Sequence, residues 1–451
     1  MSADRSLPVT LLGFTLPDEV LAGVMAGDAV HATQTHAFAW GLVGAMRAVG
    51  CPVRLLSAAP VSTWPGNRRL VFRGGAFHDQ GVDGRLLGFV NVLGLKHITR
   101  FASARRCLVG GLSDGEVLLV HGVHAPFLWA GALLARRRGV RVVPVLTDPP
   151  GVALPTDGRL VRLLRRLDVL LVRAALRRCA GVVALTGPLA EDFAPGRPHL
   201  IMEGIHHPPA GVRAGREVAA GTRDVVYAGG LSRAYGVDRL VRAFRALPDP
   251  QLRLRLFGRG ELTPWLCEQA GVDPRIAPPE LLAREALAAR LARAAVLVNP
   301  RPVEQYFVPY SFPSKTIEYL SAGVPVVSTR LPGLPADYLP HLVIAEPDTV
   351  DGLRDALAHA LALPAEEAAR RGAAAREFVH RSCGPLAQGR RIREFLAALT
   401  SPATGSAGDA AGTGSAGHKL AVARSGGPLD DELPPRPSAS WRGASVRPAD
   451  R

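Results

Sequence analysis

Short apolar runs separated by helical stretches recur along the whole chain, and that alternation limits the fold more than any other feature. In the first half the runs are Val9–Phe14, Val53–Ser57, Val117–Val120, Val140–Leu146 and Gly181–Leu185. In the second half they are Asp224–Ala228, Leu252–Phe257, Val296–Asn299, Pro325–Thr329 and Leu342–Ala345. Runs of this length without polar alternation suit strands buried on both faces, as in parallel sheets covered by crossover helices. Two successive strand–helix series predict an α/β protein of two doubly wound domains, residues 1–205 and 222–400. Ligands of such sheets lie beyond the carboxyl ends of the strands, so the residues just after each run are where chemistry is expected.

Helices are expected at Phe38–Val49, Leu86–Leu108, Phe127–Arg137, Arg159–Cys179, Gly236–Ala246 and Leu281–Arg293, with Leu353–Leu361, Glu366–His380 and Arg390–Leu399 completing the second domain. The stretch between Ser57 and Leu86, rich in Gly, Pro and Arg, reads as a loop. Beyond Thr400, Gly, Ser, Ala and Pro dominate, and residues 401–451 are expected to form a disordered tail.

At 451 residues the chain exceeds one usual core. A formal charge of +15 favours a polyanionic partner: nucleic acid, an anionic membrane surface or a phosphorylated substrate. No nucleic-acid recognition motif or platform of aromatic and basic residues accompanies that charge. Cys51, Cys107, Cys179, Cys267 and Cys383 are scattered, odd in number and never in a Cys-x-x-Cys pair, which suggests neither a disulfide framework nor a zinc site and fits a reducing cytoplasm. The polar opening Met1–Ser6 does not read as a secretory signal. Val117–Ala135 carries no Asp, Glu, Lys or Arg, yet His121, Gly122, His124 and Pro126 break it, so it reads as strand, loop and helix rather than a membrane span.

Arg159–Cys179 is the clearest amphipathic helix. Leu160, Leu163, Leu164, Leu167, Leu170, Leu171 and Ala174 form one stripe, and Arg159, Arg162, Arg165, Arg166, Arg173 and Arg177 lie largely away from it, with Asp168 the only acid. The arginine face is either an ordinary solvated helix back or a surface that meets anionic lipid.

The stretch Tyr310–Ser328 reads as a loop, a short helix opened by Pro313 and Ser314, a stop at Ala322-Gly323 and a buried strand. Such a helix start presents unpaired N–H groups and the positive end of its dipole, and Lys315 adds a full charge in the first turn, so the site suits a phosphate. Glu318, one turn on, can accept hydrogen bonds from a polyhydroxyl ligand such as a ribose; the plainer alternative is a surface ion pair between the two. Gly229-Gly230 and Gly258-x-Gly260 follow the first two strands of the second half and would let backbone approach a bound phosphate. Neither matches the dinucleotide or Walker pattern.

Tyr227-Ala228-Gly229-Gly230-Leu231-Ser232 with Tyr235-Gly236-Val237-Asp238, Phe257-Gly258-Arg259-Gly260-Glu261, and Ser311-Phe312-Pro313-Ser314-Lys315-x-x-Glu318 through Val327 together resemble the GT-B glycosyltransferases of family 4. The resemblance is specific over about Asp224–Phe395 and weaker before it. It implies two Rossmann-like domains facing a central cleft, a nucleotide-diphosphate sugar held mainly by the second, an acceptor held mainly by the first, and transfer with retention and without an obligatory metal or other cofactor. By position, Glu318 would hold the ribose, Lys315, Ser314 and the helix-start amides the diphosphate, and Gly229, Gly230 and Gly258 the loops closing on it. The active-site histidine would be His121 or His124, with His121 nearer the strand. Two departures stand out: Gly230 and Tyr235 occupy places where the family often has Arg and Lys, and Tyr310 stands where the first of two paired glutamates is usual, with Glu304 outside that register. Leaving-group stabilisation would then rest on Lys315, Arg233 or Arg301, and backbone amides.

Breaking an anomeric bond puts negative charge on the departing diphosphate, which a fixed cation and fixed donors stabilise. Asp148 is the nearest carboxylate to a nucleophile's place, although Asp148-Pro149-Pro150-Gly151 equally suits a turn. The expectation is a retaining glycosyltransferase acting on a polysaccharide or lipid-linked acceptor in cell-envelope glycan synthesis, cytoplasmic or peripheral at the inner membrane face. The alternatives are a phosphorolytic or hydrolytic relative and a catalytically silent nucleotide-sugar-binding protein.

Overall fold

In a computed structural model of the chain, residues 7–28, 33–113, 115–138, 140–151, 158–206, 223–305 and 307–400 are described. The expected tail and most of the connection between the two halves lie outside them.

The first sheet contains β1 (Val9–Gly13), β2 (Val53–Ser57), β4 (Gly75–Asp79), β5 (Val82–Leu86), β7 (Val117–His121), β8 (Arg141–Leu146), β9 (Val182–Ala184) and β10 (His199–Ile201), while β3 (Val71–Phe72) and β6 (Phe89–Val90) form a separate antiparallel pair. Its order is β10-β9-β8-β7-β1-β2-β5-β4, parallel except where β4 pairs with β5. Helices α1 (Asp18–Met25), α2 (Thr33–Ala48), α3 (Leu95–Gly111), α4 (Ala125–Arg138), α5 (Arg159–Leu176) and α6 (Gly187–Phe193) accompany it. The second sheet, of β11 (Arg223–Ala228), β12 (Leu252–Phe257), β13 (Val296–Asn299), β14 (Val326–Thr329) and β15 (Val343–Ala345), runs β12-β11-β13-β14-β15, all parallel. With it go α7 (Val237–Arg245), α8 (Thr263–Val272), α9 (Arg284–Arg293), α10 (Ser314–Ala322), α11 (Val350–Ala362) and α12 (Ala365–Cys383), and α13 (Pro385–Thr400) follows.

Successive strand residues serve opposite layers, as the two-residue period of a strand requires. Leu12 joins the core beneath α3 and α4, whereas Leu11 joins the one beneath α2. Val225 and Tyr227 point to one layer of the second sheet, Val226 and Ala228 to the other. This double burial is why the runs carry so few polar side chains.

Four expectations change. The helix expected over Leu86–Leu108 starts only at Leu95, because Phe89–Val90 pairs with Val71–Phe72. The expected loop between Ser57 and Leu86 contains the β4–β5 hairpin, where the Phe77 ring covers Gly84 so closely that a Cβ there would lie 2.1 Å from it. The last helix, expected in the second domain, packs on the first: Ile392, Phe395 and Leu396 share a core with Leu42, Val43 and Met46. At that crossing Gly389 comes so near α2 that a Cβ would lie 2.1 Å from the Ala45 carbonyl oxygen.

The fourth change concerns α5, whose leucine stripe is not the buried face. Val172, Ala175 and Leu176 are buried toward the helix end, while Leu163 and Leu170 are each 62% exposed and Leu164, Leu167 and Leu171 are exposed beside them. Among the described residues no helix is long and apolar enough to cross a membrane. The uncharged stretch after Glu116 divides into β7 and α4.

Candidate functional site

The first strand of the second sheet ends at Ala228, whose backbone N–H donates to the Tyr319 hydroxyl at 2.7 Å while that hydroxyl donates to the Ala228 carbonyl at 3.0 Å. Tyr319 therefore ties α10 to the end of β11. Asn299, closing β13, donates to the Thr316 hydroxyl of the same helix at 3.5 Å. These bonds set the start of α10 beside the Gly229 loop. Ser314, at the first helical position, is exposed.

Lys315 runs from that helix start directly over Gly229: a Cβ on Gly229 would lie 2.4 Å from Lys315 Cε, 3.0 Å from its Nζ and 2.7 Å from the Tyr227 hydroxyl. A side chain at 229 would have to displace the lysine end and the tyrosine hydroxyl. Burial holds the Lys315 amine below its ordinary pKa, and the charge of Glu318 partly restores it. Among the described residues the two form no ion pair, so the plain surface pairing is not what holds them. Tyr227 donates to the Gly230 carbonyl at 2.9 Å and fixes the next peptide.

Gly258 and Gly260 have a packing role as well. Gly258 has φ +142° and presses on its neighbour loop, so that a Cβ would lie 1.8 Å from the Gly229 carbonyl oxygen; at Gly260 it would lie 2.2 Å from that of Leu231. The Gly229 and Leu231 amides donate to Phe257 and Arg259 carbonyls at 2.7 and 3.0 Å. The two loops interlock backbone to backbone, and the glycines of the second one seat the first.

Gly230 is covered by Tyr235, whose ring a Cβ would meet at 2.8 Å. On that ring, 5.4 Å from its centroid, lies the Arg301 guanidinium, also 4.7 Å from the Phe307 centroid. Arg301 is 6% exposed, has no carboxylate among its described contacts, and leaves Nε unbonded. Burial lowers its pKa, opposed by Tyr235 and Tyr227. An unneutralised buried guanidinium is a strong attractor for an anion. Arg233 and Glu304 are exposed, and Arg233 faces Asp238 at 3.6 Å.

Tyr310, in a short turn at Val308–Tyr310, is occupied across the domains: its hydroxyl donates to Asp192 of α6 at 2.6 Å, and its ring meets Phe193 edge-on at 5.5 Å. Desolvation and that bond push its pKa up to about 12.

In the first domain His121 closes β7, 1% exposed, with its ring stacked on Phe38 at 5.6 Å and neither ring nitrogen bonded. Burial lowers its pKa to about 4, so it is a neutral imidazole at neutral pH. His124 packs edge-on against Phe127 and Phe14, and burial and the nearby Arg100 hold it well below its ordinary value. Asp148 is exposed just past β8. Among the described residues no group of three His, Cys, Asp or Glu could hold a metal ion. A cavity of about 880 Å³ between β5 and α3 includes none of the candidate residues in its lining.

Three side chains were missed. Tyr227 and Tyr319 read as ordinary strand and helix apolar positions, and only their hydroxyls, the polar tips of buried rings, hinted at a bonding role. Asp192 carries no sequence signal at all.

Residues 222–362 match the family model described as Glycosyl transferases group 1. That interval contains Gly229, Gly258, Arg301, Lys315 and Glu318. No curated protein sequence matches the chain. Among solved structures, the chain is similar to sucrose-phosphate synthase from Thermosynechococcus elongatus, at 18% identity and a TM-score of 0.59 over 87% of this chain and 100% of that one. It is similar to a UDP-forming alpha,alpha-trehalose-phosphate synthase from Burkholderia xenovorans in complex with glucose-6-phosphate, at 15% identity and a TM-score of 0.57 over 87% and 100%. It is also similar to Anabaena HepE in complex with UDP, at 14% identity and a TM-score of 0.56 over 87% and 100%. The likeness is one of fold: two Rossmann-like α/β domains in the GT-B arrangement.

Proposed function

We propose that the chain is a retaining glycosyltransferase of the family 4 type, moving a sugar from a nucleotide-diphosphate donor to a glycan or lipid-linked acceptor of the cell envelope. The observation that carries this reading is the Lys315 side chain lying over Gly229 at the start of α10. An amine held in place by packing, beside helix-start amides, offers a diphosphate charge without reorganisation. Two of the structural neighbours are a UDP-forming synthase and a UDP complex, which supports a uridine diphosphate donor here.

In this reading Lys315, the α10 amides and Ser314 receive the diphosphate, and Glu318 takes the ribose hydroxyls. Arg301 supplies the second positive charge that Gly230 and Tyr235 do not. As the anomeric bond lengthens, negative charge gathers on the leaving phosphate and these groups stabilise it. The acceptor hydroxyl attacks from the same face and its proton passes to the departing phosphate oxygen, giving retention without a protein nucleophile. Neutral His121 donates or accepts a hydrogen bond at the transferring sugar and carries no charge.

A panel of nucleotide sugars screened by thermal shift tests this, since a ligand of the folded state raises its melting temperature. A UDP- or GDP-linked sugar is expected to give a shift that Lys315→Ala and Glu318→Ala reduce. Equal shifts in all three proteins would remove both residues from the site.

A second reading, a protein that binds nucleotide sugar without turnover, is favoured by Tyr310, which stands at a glutamate's place and is engaged with Asp192. A donor-induced shift with no transfer and no donor hydrolysis would select it.

A further inference from the structure

The outward leucines of α5 form one of the largest apolar exposures on the described surface, and they do not stand alone. Leu93 is 77% exposed and Ile98 63%, with Leu95 and Trp64 exposed nearby. The Trp64 amide donates to the Asn91 carbonyl at 3.2 Å, which holds the indole segment next to the Leu93–Ile98 stretch. The α3 and α5 portions both pack on α4, where the Trp129 indole donates to the Leu171 carbonyl at 3.0 Å. Exposed Leu, Ile and Trp side chains gathered on one domain mark an interaction site.

Charge says what covers it. On α5, Arg159, Arg162 and Arg166 are exposed on the flank next to the leucine stripe. The first turn of α5 has no acid and no side-chain cap, so cations sit at the positive end of the helix dipole. That placement is unfavourable in isolation and becomes favourable against a negatively charged plane. Leucines on one stripe, arginines on the adjoining one and a tryptophan at the margin fit the boundary between lipid headgroups and acyl chains.

We propose that α5 and the start of α3 form a docking face for an anionic lipid bilayer. The face leads into the candidate cleft, because the His97 ring lies 5.6 Å from that of His124, three residues past β7. A chain docked this way presents the ends of its first-sheet strands to a lipid-borne acceptor. The docking itself does not depend on the donor assignment.

Full-length protein sedimented with phosphatidylcholine vesicles, with and without phosphatidylglycerol, tests the proposal. Binding is expected only to the anionic vesicles and is expected to weaken as salt rises. Leu163→Gln, Leu167→Gln and Leu170→Gln combined should cut it about tenfold or more, and Arg162→Gln and Arg166→Gln about fivefold each. Val272→Gln, on an exposed site of the second domain, should leave it unchanged, with melting temperature confirming that every variant is folded. Unaltered binding of the leucine variant would overturn the proposal, and so would equal binding to both kinds of vesicle. A concentration-dependent dimer that the leucine variant disperses, with no vesicle binding, would assign the face to a second copy instead. The nucleotide-sugar shift of the leucine variant reports separately on the donor site.

Discussion

The two halves share an architecture and differ in how their strand ends are finished. In the second half each strand-end group holds another: Tyr319 fixes Ala228, Gly258 seats Gly229, and Gly229 makes room for Lys315. In the first half His121 has two unbonded ring nitrogens. In the same half, helix α5 turns its leucines to solvent. The second half interlocks its strand-end loops and leaves the Arg301 charge for an anion, whereas the first leaves a histidine and a helix face without partners. Preorganised charge belongs where a leaving group departs, whereas an acceptor side can tolerate adjustment.

The largest test of that contrast is steric. Gly258→Ala should cost about 3 kcal/mol in urea denaturation, from strain at a forbidden φ and collision with Gly229. Gly122→Ala, in the first half at φ +85° with open space around it, should cost only about 1 kcal/mol. Similar losses at both would dissolve the distinction between an interlocked and an open strand end.

Next comes the lysine. Lys315→Ala should weaken UDP binding about 10- to 100-fold by calorimetry, the worth of a charge-assisted bond of about 1.5–3 kcal/mol. Because burial lowers its pKa, the amine is charged below that lowered value and neutral above it. UDP affinity should therefore fall as pH rises toward 10.5, earlier than for an ordinary lysine. Lys315→Arg should move that decline to higher pH.

His121 sharpens the other side. Its folded pKa of about 4 lies below the ordinary 6.5, so the unfolded chain binds the extra proton first between those values. Stability should fall as pH drops from about 6.5 to about 4, and His121→Phe should remove that share of the slope in denaturation titrations. The smallest effect expected is from Tyr310→Phe, about 1 kcal/mol or less, read as a slight fall in melting temperature from the lost bond to Asp192.

Much of this was legible in the chain. Doubly buried strands cannot hide their composition, so β1, β2, β7, β8 and β9 of the first sheet, all of the second and the start of α10 were readable from apolar runs and from the Pro313, Ser314 and Gly323 punctuation. Four other features were not. The β4–β5 hairpin is rich in glycine, and its stability comes from Phe77 lying across Gly84, a contact no propensity records. For α5, periodicity identified the stripe but could not say which face the sheet would take. The Gly258 contact with Gly229 was hidden because a glycine after a strand looks the same whether a ligand or another backbone needs the space. Tyr310 and Asp192 are 118 residues apart, and only the docked domains bring them together.

The path of the final helix has one more consequence. The chain passes from the first half to the second and then returns, and the two crossings touch where the His206 amide donates to the Cys383 carbonyl at 2.8 Å. Arg391 of the returning helix also donates to the Ile201 carbonyl at 2.6 Å. A single cut between the halves therefore cannot yield two self-sufficient pieces. The leading fragment would present Leu42, Val43 and Met46 to water, and the trailing one would carry Ile392, Phe395 and Leu396 with nowhere to put them. Mixed together, the fragments have a ready reason to find each other again, which makes this protein a natural subject for split-chain reassembly.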